Sequence, residues 1–193
     1  MSKRIAIIQG HPDSAGNHFC HALADTYASS AGGAGHEVLR IELAALDFPL
    51  LRTKQEFESE ATLPAIAEAQ DIIRWANHLM IVYPLWLGTM PALLKGFLEQ
   101  TFRPGFAFSY AERGLWTKEL KGRSARVVVT MGMPALAYRF FYGAHSLKSL
   151  ERNILKFCGI SPVYETLVGL VEGSEKNRKK ALAKMEKYGR QGK

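Results

Sequence analysis

The sequence predicts a doubly wound α/β domain, a five-stranded parallel sheet in the order 2-1-3-4-5 with helices on both faces. Three observations predict it. Short apolar, β-rich runs alternate with stretches of helical period along the chain, and the runs end in Gly/Pro turns, as strands buried on both faces do. No Pro/Ser-rich linker or charge block interrupts the 193 residues, so one domain over 1-193 is expected.

The elements follow in order. Lys3 to Gln9 reads as the first strand and ends in Gly10-His11-Pro12. Phe19, Cys20, Leu23, Ala24 and Tyr27 recur at helical spacing until Gly32 to Gly35 stops the pattern, and Glu37 to Ile41 is the second strand. Asp47 to Thr62 has no sustained period and reads as an irregular excursion. Leu63 to Ala76 looks helical, with Ile66, Ile73 and Trp75 inward, and His78 to Tyr83 is a central strand. Pro91 in a first turn, followed by Ala92, Leu93, Leu94, Phe97, Leu98 and Phe102, marks the next helix. Arg126 to Thr130 is the fourth strand, a helix covers Ser146 to Phe157, and Val163 to Val171 contains the fifth strand. A terminal helix closes the chain.

Composition narrows the function classes. Apolar residues make up 47% and charged residues 22%, and no apolar run approaches the roughly 20 residues that span a bilayer. The amino terminus is too short and polar before its first turn for a signal peptide, so the cytoplasm is the expected compartment. Cys20 and Cys158 belong to no C-x-x-C pair and read as buried apolar residues. The formal charge is +7, and Ser174 to Lys193 holds eight Lys/Arg against Glu175 and Glu186. That segment places Ala181, Leu182, Met185 and Tyr188 on one helical face. It reads as a packed helix with a solvated basic side rather than a nucleic-acid surface, and no nucleic-acid partner is expected.

In an open parallel sheet of this order, ligands bind at the carboxyl ends of the strands, where strand order reverses between the first and third. Two loops are therefore singled out, Gly10 to His18 and Pro84 to Met90. The first brings His11, Ser14, Asn17, His18 and Phe19 to a helix start, whose free N–H groups and dipole suit phosphate. It matches neither Walker A nor G-x-G-x-x-G, which argues against an NTPase or a Rossmann dehydrogenase. Asp13, Ser14 or Asn17 acting only as a helix cap is the plainer alternative. The second loop turns Leu85, Trp86 and Leu87 beside Gly88 at the strand tips, an apolar wall suited to a planar ring.

The run Pro84-Leu85-Trp86-Leu87-Gly88-Thr89-Met90-Pro91-Ala92-Leu93-Leu94-Lys95-Gly96, with GHPDSAGNHF upstream and PGFAFSY at Pro104 to Tyr110, resembles the flavodoxin-like NAD(P)H:quinone oxidoreductases. That family includes small members that act as ancillary subunits of potassium-efflux systems. The resemblance extends along essentially the whole chain. It implies a flavin, FAD or FMN with FAD favoured, NAD(P)H as co-substrate, a quinone-like acceptor and a homodimer. It also implies that Thr130, Met131 and Gly132 border the flavin, and that His145, after Gly143-Ala144, matches the family's Gly-x-His. The family usually reads Thr-Thr-Gly-Gly where this chain has Thr130-Met131-Gly132-Met133, and the spacing to the histidine is about one residue longer, so Tyr138 and Tyr142 compete as its partner.

The expected chemistry is two-electron transfer from NAD(P)H through the flavin to the acceptor. His145 with Tyr138 or Tyr142 would stabilise charge or supply a proton. Trp86, Phe106 and Phe108 would line the acceptor slot. His21 reads as a helix-surface residue, and His36 and His78 start strands at the opposite end of the sheet. No two histidines stand at i, i+4 and no carboxylate completes a set, so no metal is expected. Two other readings stay open: a non-enzymatic flavodoxin-type electron carrier, and an ancillary subunit docked on a membrane transport system, for which the basic terminal helix is the only hint. NADH versus NADPH and the physiological acceptor stay undetermined.

Overall fold

The structure, a computed structural model, describes residues 2–16, 18–60, 63–111 and 115–193. Its strands are β1 (Arg4–Gln9), β2 (Glu37–Glu42), β3 (His78–Pro84), β4 (Phe108–Tyr110), β5 (Trp116–Lys118), β6 (Ser124–Thr130) and β7 (Val163–Val168). Five of them form one sheet in the order β2-β1-β3-β6-β7, all neighbours parallel, which is the predicted order once the antiparallel pair β4-β5 is set outside it. The helices are α1 (Phe19–Gly33), α2 (Lys54–Glu58), α3 (Pro64–Trp75), α4 (Ala92–Thr101), α5 (His145–Ser149), α6 (Lys156–Cys158) and α7 (Glu175–Gln191). A π-type segment, Leu150–Leu155, joins α5 to α6, so the helix expected over Ser146 to Phe157 starts and ends one residue further out.

The sheet is buried on both faces because its strands alternate between two cores. Ile5 and Ile7 of β1, Met80 and Val82 of β3 and Val128 of β6 face α1 and α7. Ala6, Ile8, Leu79, Ile81, Tyr83, Val127 and Val129 face α3, α4 and the α5–α6 helix. Each fully buried aliphatic side chain here stabilises the fold by roughly 1.5–3 kcal/mol. α7 lays Ala181, Met185 and Gly189 onto the sheet side, and its Lys176, Lys180, Lys184 and Lys187 form an exposed stripe with no ion pair among the described residues.

Three expectations need correction. The excursion from Asp47 to Thr62 contains α2, whose start is capped by the Thr53 side chain accepting from the Glu56 amide at 3.1 Å. Pro91 stands just before α4 instead of within its first turn. The pair β4-β5 was not foreseen; it packs through Trp116, whose ring stacks on Phe157 at 5.0 Å.

Candidate functional site

The loops after β1, β3 and β6 meet at the carboxyl edge of the sheet and enclose a cleft of about 300 Å³. The first loop contributes His11, His18 and Phe19, the second Pro84, Leu85 and Trp86, and the third Thr130, Met131 and Gly132. Cys20, Val171 and Glu172 also line it and were not foreseen; the last two come from the turn after β7. Backbone bonds hold the loops to the strand ends: Gly10 N–H donates to Val82 O at 2.7 Å, Leu85 N–H to Thr130 O at 2.7 Å, and Met131 N–H to Val168 O at 2.9 Å. A Cβ on Gly10 would come within 2.9 Å of Leu94 and 3.1 Å of the Val82 carbonyl, so this first turn runs too close to β3 for a side chain.

Not every expected residue reaches the cleft. Ser14 is exposed and lies outside it, and Asn17 falls outside the described residues. Gly88 is at the tip of the second loop, where Trp86 and Thr89 exchange backbone hydrogen bonds at 2.8 and 3.0 Å around a two-residue turn. Both tip residues have positive φ, Leu87 at 47° and Gly88 at 78°. The pattern suits Asn-Gly; a leucine there costs about 1 kcal/mol or more, and this one is fully exposed. Leu87 instead borders a second, apolar cleft of about 470 Å³ with Trp86, Met90, Pro91 and Ser146. Trp86 is the wall common to both.

The first cleft combines two chemistries. Leu85 and Trp86 contribute apolar surface, while α1 begins at His18 with no side-chain cap, and the His11 ring lies 6.0 Å from Trp86, edge to face. His21, expected at the helix surface, is half-buried, with its ring packed beside His11 and His18. The Cys20 thiol, 3.2 Å from Thr130 Oγ1, is pushed up to about 11 by burial and stays protonated and inert. Gly132 has an ordinary negative φ and a Cβ there would meet nothing within 4 Å, so the backbone does not demand glycine and the open space belongs to the cleft. Among the described residues no group of His, Cys, Asp and Glu is arranged to hold a metal ion.

The third loop separates the two tyrosines. Tyr138 is buried, and its hydroxyl lies 2.6 Å from Ser146 Oγ and accepts from the Leu147 amide at 3.3 Å, tying the loop to the first turn of α5. Tyr142 is exposed, as are Leu136, Phe140 and Phe141 beside it. Gly143 and Ala144 both take positive φ, 62° and 49°, and swing the chain so that exposed His145 opens α5 with its ring over Gly143. Phe106 does not line an opening: it is packed edge-on to Phe102 at 6.5 Å with the Arg74 guanidinium 5.1 Å from its ring centre. Phe108 borders a separate apolar groove with Phe57, Tyr110 and Phe157, because β4 turns it toward the α5–α6 helix.

A five-stranded parallel sheet in this order, with a cleft at its switch point, defines a flavodoxin-like fold. The chain belongs to the Flavodoxin_2 family, whose model, described as a flavodoxin-like fold, matches residues 3–190. It is 28% identical over 183 residues to an NAD(P)H oxidoreductase of Haemophilus influenzae, described as uncharacterized, covering 93% of this chain and 90% of that one. It is 29% identical over 146 residues to mouse ribosyldihydronicotinamide dehydrogenase [quinone], covering 69% of this chain and only 59% of that enzyme's length. Among solved structures, Smu.1420 of Streptococcus mutans superposes with a TM-score of 0.79 at 30% identity, over 97% of this chain and 98% of that one. No helix among the described residues is long and apolar enough to cross a membrane.

Proposed function

We propose that this chain is an NAD(P)H-dependent oxidoreductase that reduces quinone-like acceptors by two-electron transfer, with FAD or FMN held in the cleft between the loops after β1, β3 and β6. The observation that carries the reading is the mixed lining of that cleft, the apolar Leu85 and Trp86 together with the uncapped start of α1 at His18. A flavin presents a planar ring to the one and a phosphate to the other. The names of the Haemophilus and mouse relatives support the same chemistry.

When bound, the flavin supplies the two-electron chemistry. The protein's part is positioning and proton handling. Leu85 and Trp86 keep one face of the cleft dry, and Trp86 also borders the apolar cleft suited to a planar acceptor. His145 is assigned the proton that accompanies reduction, and exposed Tyr142, three residues earlier on the same loop, is the hydroxyl assigned with it. Tyr138 is a positioning residue, since its hydroxyl is committed to Ser146 and Leu147. The exposed rim of Leu87, Leu136, Phe140, Phe141 and Tyr142 favours a second copy of the chain over this end of the molecule.

The test is a visible spectrum and cofactor mass of the protein with added FAD or FMN, followed by NAD(P)H:quinone turnover and sedimentation. A yellow, active dimer is expected. His145→Ala and Tyr142→Phe should each lower turnover by about tenfold to a hundredfold with flavin retained, whereas Tyr138→Phe should lower turnover and stability together. A chain that stays colourless and inactive with either flavin sinks the reading.

A further inference from the structure

Three imidazoles crowd the end of the cleft where α1 begins. His11 and His18 stack at 4.0 Å between ring centroids with 17° between planes, and His21 stands 5.4 Å from His11 and 5.7 Å from His18. His21 is in the first turn of α1, and helical side chains lean toward the N-terminus, which brings its ring back over the helix start.

The hydrogen bonds of this cluster leave polar atoms unpartnered. His11 Nδ1 accepts from the Asp13 amide at 3.2 Å, so the neutral ring carries its proton on Nε2. That N–H has no protein acceptor among the described residues and is open to the cleft that His11 lines. Beneath it Gln9, 1% exposed, accepts the His11 amide on Oε1 at 3.0 Å and leaves Nε2 without a partner. The His21 Nδ1 is also buried and unpartnered. Two buried, unpartnered polar atoms, on Gln9 and His21, thus pack against His11, which itself lines the cleft, and each is costly where it stands.

The charges facing the cluster are few. Asp13 accepts from the Ala15 amide at 2.8 Å and pairs with His18 Nε2 at 2.7 Å. Glu172 lines the cleft from the turn after β7, and Arg178 of α7 is occupied by the Val171 and Gly173 carbonyls. The loop after β3 and the end of β6 present Trp86 and Thr130, both uncharged, and the Cys20 thiol stays protonated. Burial first, and the adjacent His18 second, hold His11 below the usual imidazole range, so this ring is neutral near neutral pH.

We propose that His11, His18 and His21 form a proton-coupled clamp for the cofactor's phosphate, His11 and His18 from the cleft wall and His21 as a positioning residue packed behind them. Binding draws a proton from solvent onto the cluster and makes loading tighter as pH falls. The inference rests on the flavin reading above and deepens it. A neutral imidazole offers one donor and an imidazolium two, so the proton supplies a further donor together with the positive charge that a phosphate favours. The complex then holds more protons than the free chain, and affinity falls with rising pH by up to about tenfold per unit for each proton taken up.

The experiment measures binding of FAD, FMN and riboflavin to flavin-free protein between about pH 6 and about pH 8, where imidazoles titrate. Riboflavin lacks the phosphate, and the FAD pyrophosphate does not titrate in this range, so the pair isolates the protein's protons. FAD affinity is expected to fall at least roughly tenfold across the range while riboflavin affinity stays level. His21→Gln should weaken FAD at the acid end and flatten its slope; His21→Lys, with a fixed charge, should keep tight binding and also flatten it. Riboflavin binding by each variant reports that the cleft is intact. A level FAD profile, or equal slopes for FAD and riboflavin, overturns the clamp while leaving the flavin reading standing. Absence of binding by all three flavins overturns both.

Discussion

Gly132 shows how a single residue can be judged by what the fold does not require of it. Its φ is ordinary and a Cβ would touch no protein atom within 4 Å, so Gly132→Ala should change unfolding free energy by no more than about 0.5 kcal/mol. If the open space belongs to a cofactor, the same methyl should weaken flavin binding by roughly tenfold or more. Urea denaturation without flavin and a flavin titration read the two effects separately; a variant that binds flavin as the wild type does would remove Gly132 from the site. The cleft residues on either side of it were legible in sequence because they terminate strands, and strand ends at a switch point are where such folds open. The company His21 keeps was not legible: its position on α1 follows from the helix period, but its contacts depend on the packing of two other rings. Phe106 misled for the converse reason, since an aromatic near a motif carries no sign of whether the chain turns it toward an opening or into the core.

At the scale of elements, the contact of α1 with α7 turns on Gly189. A Cβ there would collide with the Tyr27 carbonyl and stand 3.0 Å from the Ser30 Cβ, both on α1. Gly189→Ala gains helix propensity of about 1 kcal/mol but must push the two helices apart. The collision involves backbone, so the expected net result is a loss of roughly 1–3 kcal/mol, read as a lower urea midpoint. An unchanged or raised midpoint would mean that α7 can slide without cost. The central sheet strands and the long helices were readable because burial on both faces leaves short continuous apolar runs and burial on one face imposes a period of 3.6. The pair β4-β5 was not, since three residues per strand are too few to show a period and its stability comes from Trp116 stacking on a distant Phe157. α2 left a usable signal: Thr53 and Glu56 have the capping-box spacing, and Glu56 also accepts the Arg52 amide at 2.8 Å.

On the scale of the whole molecule, the two ends of the sheet respond to acid in opposite ways. At the carboxyl end, protonation is expected to favour cofactor loading. At the amino end, His78 is fully buried at the start of β3, with Nδ1 2.7 Å from Ser124 Oγ and Nε2 unpartnered. Burial, and then the nearby cations Lys3 and Arg126, lower its pKa from 6.5 to about 3. Above the unfolded value both states are neutral and His78 contributes no pH dependence. Below it the unfolded chain takes up a proton that the folded chain refuses, so stability declines from about pH 6.5 down to about pH 3, by up to about 1.4 kcal/mol per unit. Urea midpoints of flavin-free protein should therefore fall between about pH 7 and about pH 5. His78→Gln, although less stable near neutrality through lost packing, should show a shallower decline over the same interval. Equal slopes in the two proteins would assign the acid sensitivity elsewhere. Added FAD should offset part of the wild-type decline, because the ligand binds the folded state only and is expected to bind it more tightly as pH falls.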